Sequence, residues 1–216
     1  MAIGPVQLLV LGFDHPDFHG EIKAELDRLR WQPRPEIVLN DRYELGSVLT
    51  VHTVADAMTR GGDVLLMDAD VLYHEGIMTA LVAGQKPVNR ILIDRDFEPG
   101  DEPVKVCVSD GIAVEFRKQL APGLNYDTIG ESVGFFRFDA AGARRLATLV
   151  AGYVDSGRVN LPHEEAIRDM LLERSQIVDV TDVSGLPWIE IDFPNDVIRA
   201  ARDVLPQLPP LPGSPK

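Results

Sequence analysis

Two short stretches of this chain carry carboxylates at every second position. Asp68-Ala69-Asp70 closes the apolar run Val64-Leu65-Leu66-Met67, and Glu190-Ile191-Asp192 follows Pro187-Trp188-Ile189. Extended backbone sends alternate side chains to one face, so Asp68 and Asp70 are predicted to share a face, as are Glu190 and Asp192. Residues two apart in a strand have Cα atoms roughly 6–7 Å apart. That is wide for two carboxylates sharing a proton but suits oxygens around one hard cation. Mg²⁺ takes one or two carboxylates and completes its shell with water and phosphate oxygens. A strand covered on both faces ends at the C-terminal edge of its sheet, where open α/β sheets bind ligands. If the two acidic strands meet at that edge, they clamp a cation from two sides. Each pair alone also fits a plainer role. One Asp of the first could cap the next helix, and the second pair could line the wet face of an edge strand.

Basic residues come next, because a phosphate substrate needs them. Lys105 lies in a predicted strand and Arg117-Lys118 ends the one after it. In so acidic a chain they are candidates for neutralising phosphate, although Arg117 reads better as a solvated strand residue. His15 and His19 flank Asp17 at metal-like spacing, but no third ligand is evident, which favours loop and capping roles. His52 reads as structural, and His163-Glu164-Glu165 as a helix start whose acids suit the dipole. There is no P-loop or G-x-G-x-x-G pattern.

The elements that must position these residues alternate. Strands are predicted at Val6–Gly12, Glu36–Leu39, Val64–Met67, Arg90–Asp94, Val104–Val108, Gly111–Phe116, Ser132–Phe138, Ile177–Val180 and Trp188–Ile191. Helical spacing marks Phe18–Leu29, Gly46–Met58, Ile77–Val82, Ala140–Tyr153, Glu164–Arg174 and Asp196–Val204. The alternation predicts a Rossmann-like three-layer α/β/α sheet, mostly parallel, with an antiparallel insertion near Val104–Phe138. Residues 1–204 read as a single domain. The stretch 205–216, with Pro at 206, 209, 210, 212 and 215, reads as an extended tail.

Composition narrows the partners. The 216 residues are 45% hydrophobic and 25% charged, with a formal net charge of −13. A surface that negative repels nucleic acid and anionic membrane. A bound divalent cation and local Lys or Arg would reconcile it with an anionic substrate. The single cysteine, Cys107, fits a reducing cytoplasm. The apolar start reads as a buried strand rather than a signal peptide, and no run approaches the ~20 apolar residues that span a bilayer.

Taken in order, the stretches "VLNDRYELGSVLTVHTVADAM", "DVLLMDADVLYHEGIMTALV", "ILIDRDFEPGDEPVKVCVSDG", "IGESVGFFRFDAAGARRL" and "VDVTDVSGLPWIEIDF" resemble the cytidylyltransferase branch of the nucleotidyltransferases, which acts on phosphocholine and phosphonates. The likeness runs from about residue 6 to residue 204. It implies a GT-A-like sheet, CTP or another nucleotide as donor, a small phosphate or phosphonate acceptor, and Mg²⁺. By position it implies Asp70 as principal metal ligand with Asp68 in support, and Glu190 and Asp192 as the second half of the metal site. It implies Gly46 and Ser47 in a base pocket, and Lys105 and Lys118 reaching phosphate. Glu131 and Ser132 would face the acceptor, and Glu164 or Glu165 a cationic head group. The family's opening strand, its glycine-rich G-x-G-x-R loop and its Lys-Pro pair have no counterpart here. "GFDHPDFHGEI" matches instead the family's second strand and helix. That departure implies a first strand missing from the sheet and an exposed edge that would favour a homodimer, with three explanations open: a start set too far downstream, a phosphate loop supplied by a partner chain, or a remnant that binds without turnover. Two rival expectations stand beside transfer of a nucleotidyl group. One is a metal-dependent type-A glycosyltransferase, and the other a non-catalytic nucleotide-binding remnant.

Overall fold

A computed structural model describes the backbone of residues 9–12 and, with side chains, residues 38–84, 88–174 and 176–209. The helix expected at Phe18–Leu29 and the pair His15/His19 lie outside the described residues, as do residues 210–216. In chain order the elements are β1 (Leu9–Gly12), α1 (Val48–Thr53), α2 (Ala55–Met58), β2 (Val64–Asp68), β3 (Val71–Tyr73), α3 (Glu75–Val82), β4 (Asn89–Asp94), β5 (Lys105–Ser109), β6 (Ile112–Arg117), β7 (Thr128–Phe138), α4 (Ala140–Asp155), α5 (His163–Leu172), β8 (Val178–Asp182), β9 (Trp188–Glu190) and α6 (Pro194–Arg199). A π-helical turn, Ala200–Val204, continues α6.

Among the described residues, seven strands form one sheet in the order β1-β2-β7-β4-β8-β6-β5, and β3 and β9 form a separate pair. The sheet is mixed rather than mostly parallel. β1 pairs with β2 and β4 with β8 in parallel, but β7 enters between β2 and β4 and runs against both. The β5–β6 hairpin adds further antiparallel pairing. Its turn is Asp110-Gly111, both at positive φ (51° and 76°). A two-residue hairpin loop needs that geometry to match the twist of its strands. β1 pairs directly with β2, Leu9 opposite Leu65 and Gly12 opposite Asp68.

Alternation along the strands builds a core on each face. Val64, Leu66, Ile91, Ile93, Phe136 and Phe138 meet α1, α4 and α5 on one side, while Leu65, Met67, Leu92, Val133 and Phe135 meet α3 on the other. The three-layer arrangement expected from the sequence follows from this. Three other expectations need correction. The helix expected over Gly46–Met58 is two short ones broken at Val54, where a β-branched residue sits at a non-helical φ/ψ. Val38 and Leu39, expected at the end of a strand, are exposed and not in one. Leu205–Gln207, expected to be extended, makes a 3₁₀ turn. Among the described residues no helix is long and apolar enough to cross a membrane.

Candidate metal centre

β2, β4 and β8 run in one direction, so Asp68, Asp94 and Asp182 end their strands at the same sheet edge. β2 stops at Asp68, and Asp70 sits in the bend that leads into β3. The two acids therefore do not continue one strand, as their spacing had suggested. What fixes Asp70 is β9. Val71 lies opposite Glu190, Leu72 opposite Ile189 and Tyr73 opposite Trp188. The Ile191 N–H donates to the Asp70 carbonyl at 2.9 Å, and the His74 N–H to the Pro187 carbonyl at 2.9 Å. That ladder sets Glu190 and Asp192 on either side of the residue facing Asp70. Carboxylate oxygens of Asp70, Glu190 and Asp192 lie within 4.8 Å of one another. The structure thus brings together the two acidic motifs, 120 positions apart in the chain from Asp70 to Glu190.

The electrostatics match that crowding. The Glu190 carboxyl is pushed up to about 8, by loss of water around it and by the charges of Asp192, Asp70, Asp68 and Glu131. Glu190 as a residue keeps an exposed surface, so the like charges are the steadier of these causes. Three converging carboxylates are the oxygen donor set of a hard divalent cation, and a cation there would relieve their repulsion. The residues present therefore fit Mg²⁺ or Mn²⁺.

Asp68 is held differently. Its carboxylate lies against Gly134, where a Cβ would come within 2.3 Å of Oδ2. Gly134 has φ +75° and sits where the pairing of β4 with β7 slips between Ile91 and Ile93. A glycine inside a strand pattern is the sequence signal of such a bulge. Gly134→Ala combines positive φ with a collision, so it is expected to cost about 1–3 kcal/mol. A urea midpoint equal to that of the unsubstituted chain would refute this reading.

Glu131 lies opposite Asp94 on β4 and opposite Lys105 on β5. Burial and the Asp94 charge push its carboxyl up to about 7, against the opposing pull of Lys105. Asp94 Oδ2 accepts the Trp188 indole N–H at 2.7 Å, which ties β4 to β9. Neither Asp94 nor Trp188 was singled out from the sequence, because their contact spans 94 positions. The Ser132 hydroxyl accepts the Gly134 N–H at 3.2 Å.

The other expected site residues have local occupations. Lys105 Nζ donates to the carbonyls of Gly100 (2.7 Å), Pro103 (3.3 Å) and Lys118 (2.7 Å). An ammonium has three N–H donors, so in this state Lys105 fastens the preceding loop to the end of β6. Lys118 Nζ is 3.3 Å from Glu102. Gly46 packs against backbone, a Cβ there falling 2.0 Å from the Leu161 carbonyl oxygen. The Ser47 hydroxyl accepts the His163 N–H at 2.9 Å and lies 3.1 Å from His163 Nδ1. Glu164 Oε2 is 3.2 Å from the same Nδ1. Gly46, Ser47 and Glu164 thus gather at the start of α5. Glu165 grips Arg117 through both carboxylate oxygens at 3.0 and 2.9 Å.

Comparison with known proteins gives the fold its place. No family model matches the chain, and no curated protein matches it in sequence. Among solved structures it is similar to the inositol-1-phosphate CTP transferase of T. maritima, with a TM-score of 0.63, 18% identity, and 88% of this chain and 70% of that one covered. It is similar to the CTP:phosphocholine cytidylyltransferase of Streptococcus pneumoniae, with a TM-score of 0.62, 16% identity and coverage of 91% and 78%. HddC of Yersinia pseudotuberculosis follows at a TM-score of 0.53, 11% identity and coverage of 85% and 73%.

Proposed function

We propose that this chain, which has the fold of those CTP transferases, moves a cytidylyl group from CTP to a small phosphate or phosphonate and releases pyrophosphate. One observation carries the reading. Asp70, Glu190 and Asp192 converge within 4.8 Å at the sheet edge where α/β folds bind ligands. Asp70, Glu190 and Asp192 would hold Mg²⁺. Bound there, the ion would supply charge neutralisation and a template for nucleotide and acceptor oxygens.

The chain's own residues then have the following work. An oxygen of the acceptor's phosphate or phosphonate attacks the α-phosphorus of CTP. The bond from that phosphorus to the bridging oxygen breaks, and pyrophosphate leaves with its electrons. No general base is required, because the attacking oxygen is already ionised at neutral pH. Asp68, seated against Gly134, supports the strand end from which Asp70 projects. Glu131 and Ser132, beside the bulge, face the acceptor. Lys105 and Lys118 would meet phosphate once released from their carbonyl and Glu102 partners. Gly46 and Ser47 are assigned to the nucleotide side, and Glu164 or Glu165 to a cationic head group of the acceptor. A reducing, cytoplasmic setting suits Cys107, which is buried with its thiol pushed up to about 11 by burial and by Glu115.

The test is pyrophosphate release by the purified chain with CTP, Mg²⁺ and a panel of phosphate and phosphonate acceptors. Release that depends on one acceptor is expected. Turnover of a UDP-sugar with Mn²⁺, and none of CTP, would replace this reading with glycosyl transfer.

A further inference from the structure

The strands β3 and β9 have three residues each. They pair with each other, and among the described residues neither joins the seven-stranded sheet. A two-stranded ladder is marginally stable on its own. Yet β9 carries Glu190 and leads straight into Asp192, and both keep carboxylate oxygens within 4.8 Å of Asp70. Placement that close needs an anchor on a rigid element.

The anchor lies at the start of β9. The Trp188 indole N–H donates to Asp94 Oδ2 at 2.7 Å. Asp94 Oδ1 accepts the Asp96 N–H at 2.8 Å, so both carboxylate oxygens are engaged and the side chain is held. Asp94 closes β4, which is paired with β7 on one side and β8 on the other. Trp188 packs against the core beneath α3. Tyr73, opposite Trp188, meets Phe135 of β7 edge to face with ring centroids 4.7 Å apart. Trp188 and Glu190 stand two apart in one strand, so their side chains leave the same face. A shift of the indole therefore carries Glu190 with it.

Packing alone does not call for this pair. A phenylalanine would fill the same apolar space, whereas an indole needs a hydrogen-bond partner once its N–H leaves water. The partner here is a carboxylate among other carboxylates. Asp94 stands opposite Glu131, whose carboxyl is pushed up to about 7 by burial and by the Asp94 charge. A neutral acceptor would hold the indole without that repulsion. What the carboxylate adds is a shorter and stronger bond, which suits a strut rather than a filler.

We propose that Asp94 and Trp188 form a strut that seats Glu190 and Asp192 against Asp70. Asp94 is thereby a positioning residue for the cation, acting through the indole and β9. The inference rests on the cation-site reading above and deepens it.

Trp188→Phe keeps a ring and deletes the N–H, and Asp94→Ala deletes the acceptor. Both, and the double variant, are compared with the unsubstituted chain and with Asp70→Asn. Mn²⁺ affinity is read by electron paramagnetic resonance, and amide exchange by NMR on the metal-free chain. Each single variant is expected to bind Mn²⁺ about tenfold more weakly. The double variant should bind no more weakly than the weaker single one, because all three lose the same interaction. The Ile191 amide, which donates to the Asp70 carbonyl, should exchange about tenfold faster or more. The Val180 amide, held by the Gly111 carbonyl at 3.1 Å in the large sheet, should keep its rate. Equal acceleration of both amides would overturn the strut in favour of ordinary packing. So would unchanged Ile191 exchange, additive losses in the double variant, or unchanged Mn²⁺ affinity in the strut variants when Asp70→Asn has lost it. Those outcomes leave the cation site standing. Mn²⁺ affinity untouched by Asp70→Asn would instead refute the cation site, and the strut would then stand or fall on the Ile191 amide.

Discussion

Asp70→Asn is expected to remove pyrophosphate release while leaving the chain folded. Asp70 is tied to the second acidic motif by the Ile191 N–H on its carbonyl, just ahead of the β3 pairing with β9. The amide substitution keeps that backbone geometry and the side-chain shape but takes away one anionic oxygen donor. A cation that neutralises developing charge supplies several kcal/mol, so the rate should fall about a thousandfold or more, equivalent to ~4 kcal/mol. Thermal stability should not fall, because a like charge has been taken out of a crowded group. Turnover within tenfold of the unsubstituted chain at saturating Mg²⁺ would contradict the assignment. So would a lowered melting temperature accompanying the loss, since that would make Asp70 a structural residue.

Glu190→Gln is expected to separate stability from function most visibly. In the folded chain the Glu190 carboxyl is pushed up to about 8 by loss of water and by its acidic neighbours; unfolded, it would return to the ordinary carboxylate range near 4.3. Between those values the folded state binds more protons than the unfolded one. Stability therefore falls as pH rises through that window, and the loss is complete above the folded value. In metal-free protein the melting temperature should decline from pH 5 to pH 8. Glu190→Gln should flatten that decline, make the protein more stable than the unsubstituted chain at pH 8, and abolish turnover. Divalent cation should stabilise the unsubstituted chain more at pH 8 than at pH 6, because binding displaces the proton. A variant less stable at pH 8, or a cation effect that shrinks as pH rises, would remove the electrostatic account of the site.

Much of this arrangement was legible in the residues. The apolar runs at Val64–Met67 and Arg90–Asp94 and the helical stripes at Ala140–Tyr153 and Glu164–Arg174 are strong periodic signals, and the elements begin and end within two residues of them. The β5–β6 hairpin falls in the antiparallel insertion expected near Val104–Phe138. The acidic pairs were readable as pairs, because alternation of two is local. What could not be read was the partner of each strand. A long strand that runs antiparallel inside an otherwise parallel set, as β7 does, has the same apolar pattern as its neighbours, and only the positive φ of Gly134 betrays its break. Likewise, nothing local says that Lys105 spends its donors on three carbonyls or that Glu165 closes on Arg117. Those are matters of long-range packing.

The central claim is that Asp70, Glu190 and Asp192 together hold one divalent cation. Mn²⁺ titration followed by electron paramagnetic resonance tests it without requiring turnover, with the unsubstituted chain, Asp70→Asn, Glu190→Gln and Asp192→Asn compared at pH 8 in the presence of CTP. The account predicts one Mn²⁺ per chain in the unsubstituted protein and an affinity at least tenfold weaker in each variant. Equal affinity in all four proteins, at a stoichiometry set by the nucleotide alone, would contradict it.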